Sequence, residues 1–325
     1  MCSPRTCSRV PSSARSSRSA LIASSSSRRA TAAPERTEGG AMAELAEWLI
    51  APYEYAFMRR ALASLLIVSL VGAVVGTFVV HKGLAASGSG LAHATLGGVA
   101  IAFVNGASVA LGALVAAVAT ALAIGYVRRT SRVSYDTAIA IFFVSAFSLG
   151  ILVISRRQSY TPDLGSFVFG DILGVSQADL VGELVLAVVA VGFVLAFYRE
   201  LVMVAYDPAM ASAVGVRTAF FEFSLLVLIA VAVVVALQAI GIVLVTATLI
   251  IPPATASLLF RRIPQIMAAS FLIGVASSVV GLYASFHAGV AASPAVVLTA
   301  TAAFAVALAA TSLRRARFPG APTAE

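Results

Sequence analysis

The sequence predicts an all-α, polytopic integral membrane protein of about nine (eight to nine) transmembrane helices, on three observations. Hydrophobic residues make up 60% of the 325-residue chain and charged residues only 11%, where soluble domains carry about 25%. Mean hydropathy is +0.99. Apolar runs of membrane-spanning length follow one another after residue 60, leaving too little polar surface to clothe a water-soluble protein.

Taken in order, residues 1–41 are rich in Ser, Arg and Ala and carry seven Arg and two Glu, so +5 of the net charge of +8 sits there and +3 remains for the rest. The stretch resembles a transit peptide in composition and lacks the apolar core of a secretory signal. It is read as a disordered tail, or as sequence upstream of a start at Met42. Both cysteines, Cys2 and Cys7, fall in it. A metal inside the body must therefore meet imidazole, carboxylate, hydroxyl or carbonyl groups. No soluble basic face is visible, which excludes nucleic acid as a partner.

Residues 42–60 are amphipathic, with Trp48, Tyr53 and Tyr55 among apolar residues, and read as an interfacial helix lying on membrane lipid. The transmembrane domain is placed at 61–313, with spans at 61–80, 84–106, 108–127, 137–155, 180–198, 222–240, 242–260, 266–286 and 294–312. Residues 314–325 are a cytosolic tail. Arg128, Arg129, Arg132, Arg199, Arg217, Arg261, Arg262, Arg314, Arg315 and Arg317 all fall on one side of nine crossings, so that side is cytosolic and the N-terminus outside. Arg59, Arg60, Arg156 and Arg157 fall on the other.

Three connections stand out. Pro252 and Pro253 interrupt the seventh span and predict a break, followed by a short helix over 254–260 ending at Arg261-Arg262. The loop 199–221 holds Asp207 as a helix cap, Pro208 in the first turn and Gly215 as the stop. The outer loop 156–179 carries the sequence GSFVFGDILG, whose Asp171 is a candidate docking group.

Residues 81–103, HKGLAASGSGLAHATLGGVAIAF, place His93 about ten residues into the second span, roughly 15 Å deep at the rise of an α-helix. An ionisable residue there is costly unless it has a partner or a task, and imidazole suits transition metals. A neutral histidine bonded to a neighbouring helix would fit equally. The surrounding Gly, Ala and Ser favour close helix packing.

Seven motifs in order identify a resemblance: PYEYAFMRRAL at 52–62, LAHATLGGVAIAF at 91–103, DTAIAIFF at 136–143, FVFGDILGVS at 167–176, YDPAMASAVGV at 206–216, VVALQAIGIVLVTATLIIPPATASLL at 234–259 and SPAVVL at 293–298. Together they resemble the permease subunits of ABC importers for zinc and manganese. The resemblance implies the metal-importer permease fold, a homodimeric pore in the bacterial plasma membrane, two cytosolic ATP-binding subunits and an extracellular metal-binding protein. The chain has no GxxxxGK[ST] phosphate loop, so it is expected to be a transport subunit without an ATPase site and to bind no cofactor beyond the metal it passes.

On this reading His93 is a transit ligand for zinc, slightly ahead of manganese. Where the family carries Asp four residues earlier, this chain has Ser89, a weaker ligand. Pro252, Pro253, Arg261 and Arg262 are the first expected contact with the ATPases, and Asp207, Pro208 and Gly215 the second. His81 and His287 sit at span ends, Asp136 reads as a cap, and Gln238 as a packing group. A siderophore or vitamin permease is one alternative. A single-chain ion-coupled transporter is another, opposed by the scarcity of intramembrane carboxylates, since Asp136, Glu183 and Glu222 read as lying near span ends.

Overall fold

A computed structural model of the chain describes residues 55–155, 170 and 172–317, which lie within the compact unit Ala51–Glu325. The helices are α1 (Ala56–His81), α2 (Ala85–Val104), α3 (Val109–Thr130), α4 (Tyr135–Ser155), α5 (Gln177–Ala196), α6 (Tyr198–Tyr206), α7 (Pro208–Ala213), α8 (Thr218–Leu259), α9 (Ile263–Ala288) and α10 (Ala292–Arg317), with one 3-10 turn at Ile172–Gly174 before α5. Nine stretches of the described residues are long and apolar enough to cross a membrane. α8 supplies two of them, Thr218–Leu237 and Ile240–Leu259.

The join inside α8 is Gly241, whose φ of 72° and ψ of 167° are not helical. The chain doubles back there. Glu222 reaches Lys82 at the end of α1, while Pro253 lies against Gly76 on the same helix. In a straight helix residues 222 and 253 would be roughly 46 Å apart. The carbonyl of Ile240, released at the turn, accepts the Ser293 hydroxyl of α10 at 3.4 Å.

α8 packs against α1, α2, α3, α5, α9 and α10. On the helices packed against it, Phe78 and Leu65 of α1, Leu91 of α2 and Leu282 of α9 are fully buried. Helices α3, α4, α5 and α10 are mostly exposed and carry outward Val115, Val144, Val188 and Val306. Those faces suit lipid or another membrane-embedded chain. Between helices in lipid, small residues and close contact replace the hydrophobic effect as the attractive force.

The predicted break at Pro252-Pro253 is absent. The helix runs through both prolines to Leu259, and both are buried. A helical proline lacks the N–H that would bond the carbonyl four residues earlier, here the carbonyls of Thr248 and Leu249. Those two carbonyls face the glycines of α1. A Cβ on Gly72 would lie 2.8 Å from the Thr248 oxygen, and one on Gly76 would collide with the Leu249 oxygen and lie 2.9 Å from Pro253 Cγ. The Cα–H groups of Gly72 and Gly76 thus point at the vacated acceptors, as weak Cα–H···O contacts do at tight helix crossings.

Two other boundaries move. Residues 56–60 are the first turns of α1 rather than the end of a separate surface segment, and α10 carries the chain to Arg317, past the expected start of a tail at 314. The segment 1–54 lies outside the described residues.

Candidate functional site

Helix α2 owes its position to small residues. A Cβ on Gly97 would lie 2.6 Å from the Ala146 carbonyl oxygen of α4, and the vacant Cβ site of Gly98 meets the Gly112 carbonyl and Ala116 of α3. Only part of its circumference escapes burial, including Ala86, Ser89, Gly90 and His93. From Ala94 onward the exposed side becomes a groove of about 480 Å³ walled by Gly97, Gly98, Ile101 and Asn105, with Leu111 and Val115 across from them.

His93, next in sequence to the groove's first residue Ala94, is half-buried and does not line it. Its Nδ1 lies 2.9 Å from the backbone carbonyl oxygen of Ser89. A carbonyl only accepts, so Nδ1 carries the hydrogen, and in the neutral ring the lone pair is on Nε2. The ring stands edge-on to Phe143 of α4 at 5.1 Å and 74°. Imidazole orientation is therefore fixed by a backbone bond on one side and an aromatic wall on the other. Ser89 orients the ring through its main-chain carbonyl. No group of three or more His, Cys, Asp or Glu side chains forms a metal-binding cluster among the described residues. The arrangement offers one nitrogen ligand to a passing cation, short of the four that a resident zinc takes.

At the end of the bundle holding Arg128 and Arg129, Lys82 Nζ lies 3.7 Å from Glu222 Oε1. Burial pulls the Lys82 ammonium below its usual pKa, Glu222 opposes that shift, and Arg128 adds to it. Arg128 also stacks on the Tyr135 ring at 3.8 Å. His81 makes an edge contact with Tyr206 at 4.9 Å, so the end of α1 touches both the end of α6 and the first turns of α8.

The loop 199–221 forms two short helices where one was expected. Asp207 Oδ1 accepts from the backbone N–H groups of Ala209 and Met210 at 2.9 and 3.0 Å, Pro208 opens α7, and Gly215 ends it at φ 91°. Tyr206, Met210 and Val214, four residues apart, are 57, 63 and 64% exposed. By contrast, Pro252 and Pro253 are both buried, Pro253 against Gly76 of α1. Arg261 and Arg262 remain exposed, in the short link between α8 and α9.

His287 stacks with Tyr283 at 4.2 Å and is exposed. Asp136 does not cap α4; the Ser134 hydroxyl takes that place, accepting from Thr137 N–H at 3.3 Å. Asp171 and the Gln238 side chain lie outside the described residues. Glu183, read from sequence as lying near a span end, is fully buried. Its acidic character was legible, but which face of α5 meets α1 was not.

Comparison with known proteins extends the resemblance. The ABC 3 transport family matches residues 54–311. The manganese transport system membrane protein MntC of Halalkalibacterium halodurans is 40% identical over 253 residues, 78% of this chain and 87% of that protein. The chelated iron transport system membrane protein YfeD of Yersinia pestis is 33% identical over 257 residues, 79% of this chain and 86% of its own length. The solved structure of PsaBC from Streptococcus pneumoniae in complex with Fab superposes with a TM-score of 0.72 at 32% identity, covering 81% of this chain and 95% of that one.

Proposed function

The chain belongs to the ABC 3 transport family, a multi-pass protein of the bacterial plasma membrane, and on that premise we propose that it forms half of the pore of an importer for a divalent transition metal. The observation that carries the reading is His93, a half-buried imidazole with its Nε2 lone pair unclaimed by the bond that orients the ring, on a stripe of α2 that the other helices leave open. A second copy of the chain facing that stripe would bring two such nitrogens together. Two imidazoles can pass a dication along without trapping it. Imidazole alone favours zinc, while the relative named for manganese favours manganese, so the metal is left to measurement.

Energy is supplied by two cytosolic ATP-binding subunits, and the ion is delivered by an extracellular metal-binding protein. The first contact with the ATPases is α6–α7, where Tyr206, Met210 and Val214 are exposed, and Arg261 and Arg262 are the second. From Tyr206 the path inward runs through His81 to α1. Met210→Glu is expected to lower ATP-dependent uptake at least tenfold with the chain still inserted, by putting a charge into that contact. Unchanged uptake and co-purification of the ATPase would remove α7 from the interface.

The function is tested by complementation. A bacterium deleted for its own manganese and zinc importers, given this chain with its ATPase and binding protein, should regain growth in chelator-treated medium and accumulate one of the two metals by elemental analysis. Restoration of iron-chelate uptake alone would instead favour the chelate class represented by YfeD.

A further inference from the structure

Glu183 is used by none of the roles above, and it is the only charged-type side chain that is fully buried among the described residues. It lies six residues past the start of α5, about 9 Å along the helix, within a membrane-spanning stretch. Neither carboxyl oxygen has a hydrogen-bond partner among the described residues. α1 packs against α5, and its Ser64 hydroxyl, beside Glu183, is likewise fully buried and unpartnered.

A bare carboxylate cannot be kept in such a place, because removing it from water without compensation costs far more than packing returns. Compensation must come from a cation or a proton. On α5 the neighbouring titratable group is Asp179, one turn earlier and of the same sign. Its own carboxylate accepts Ser176 N–H and Oγ–H at 3.1 and 2.6 Å. α8 contributes Glu222, engaged by Lys82 near the opposite end of the bundle, and α6 contributes Arg199 and Glu200 beyond that same end of α5. On α1, Arg60 precedes Ser64 by one turn, with its Nε donating to the Ala56 carbonyl at 3.4 Å. One carboxyl and one hydroxyl fall short of the ligand number any dication takes.

We propose that Glu183 is held as the neutral acid and that its O–H donates to Ser64 Oγ, an interhelical bond pinning α5 to α1. When the two helices part and water enters, the proton passes to water and the hydrated carboxylate remains on α5. Because α1 also carries Gly72 and Gly76 against α8, the pin holds the helix on which the prolines of α8 depend.

Infrared difference spectroscopy on the purified full-length chain tests this. The spectrum of wild type minus Glu183→Gln should contain the C=O stretch of a protonated carboxyl and no carboxylate bands, and that stretch should move to higher frequency in Ser64→Ala. Carboxylate bands in place of the C=O stretch would overturn the proposal, and their disappearance in Arg60→Gln would name the counterion. An unmoved stretch in Ser64→Ala would overturn the role of Ser64 without requiring any Glu183 variant to fold. Thermal unfolding supplies an independent readout: Glu183→Gln should keep the wild-type midpoint, whereas Glu183→Ala should lower it. Equal losses in both variants would show that the charge is needed and refute the neutral acid.

Discussion

His93→Ala is expected to cut metal uptake at least tenfold while leaving the transporter assembled and its ATPase able to dock. The imidazole is half-buried, bonded within its own helix and edge-on to Phe143, so its loss should be tolerated by the fold. What disappears is the Nε2 ligand. The two Ser89 variants separate ligand from scaffold. Ser89→Ala should transport normally, because the backbone carbonyl, not the hydroxyl, holds the histidine. Ser89→Asp should bind metal more tightly, since it places a carboxylate one helical turn from the imidazole on the same face. Radiometal uptake against membrane protein level measures all three. Equal loss in Ser89→Ala and His93→Ala would mean that the serine hydroxyl takes part.

Gly76→Val is expected to abolish recovery of folded protein. The vacant Cβ position faces the Leu249 carbonyl and Pro253 Cγ, so a side chain there meets a helix that cannot yield by rotating one rotamer. Overpacking a core costs about 1–3 kcal/mol where neighbours can shift. Here the shift would also strip the Thr248 and Leu249 carbonyls of the close contact that compensates for Pro252 and Pro253 in lipid. Gly192→Ala is the matched control, because nothing lies within 4 Å of its Cβ position. Size-exclusion of detergent-solubilised fluorescent fusions should show the control at wild-type yield and Gly76→Val below a tenth of it. A wild-type elution profile for Gly76→Val would refute the clamp between α1 and α8.

Hydropathy placed all nine spans, including the division at residue 241, because length and apolarity are local properties of a run. The α7 cap was equally legible, since Asp207-Pro208 needs only its own backbone. The prolines misled for the opposite reason. Whether Pro252 breaks a helix depends on what meets the orphaned carbonyls, and Gly72 and Gly76 are some 170 residues away. At the site, His93 could be selected from sequence as an intramembrane titratable group. Its tautomer could not, because that is fixed by which oxygen Nδ1 reaches. Glu183 was hidden because a carboxyl near a span end looks solvated until α1 covers it.

The central claim, that this chain conducts a divalent transition metal under the drive of a separate ATPase, is tested most directly in proteoliposomes. The chain, its ATPase and its metal-loaded binding protein would be reconstituted, and radioactive manganese or zinc counted in the lumen after ATP is added. The account predicts ATP-dependent accumulation of one of these metals that requires all three components and falls at least tenfold with His93→Ala. Accumulation driven by an ion gradient without ATP, or none of either metal with the complete set, would contradict it.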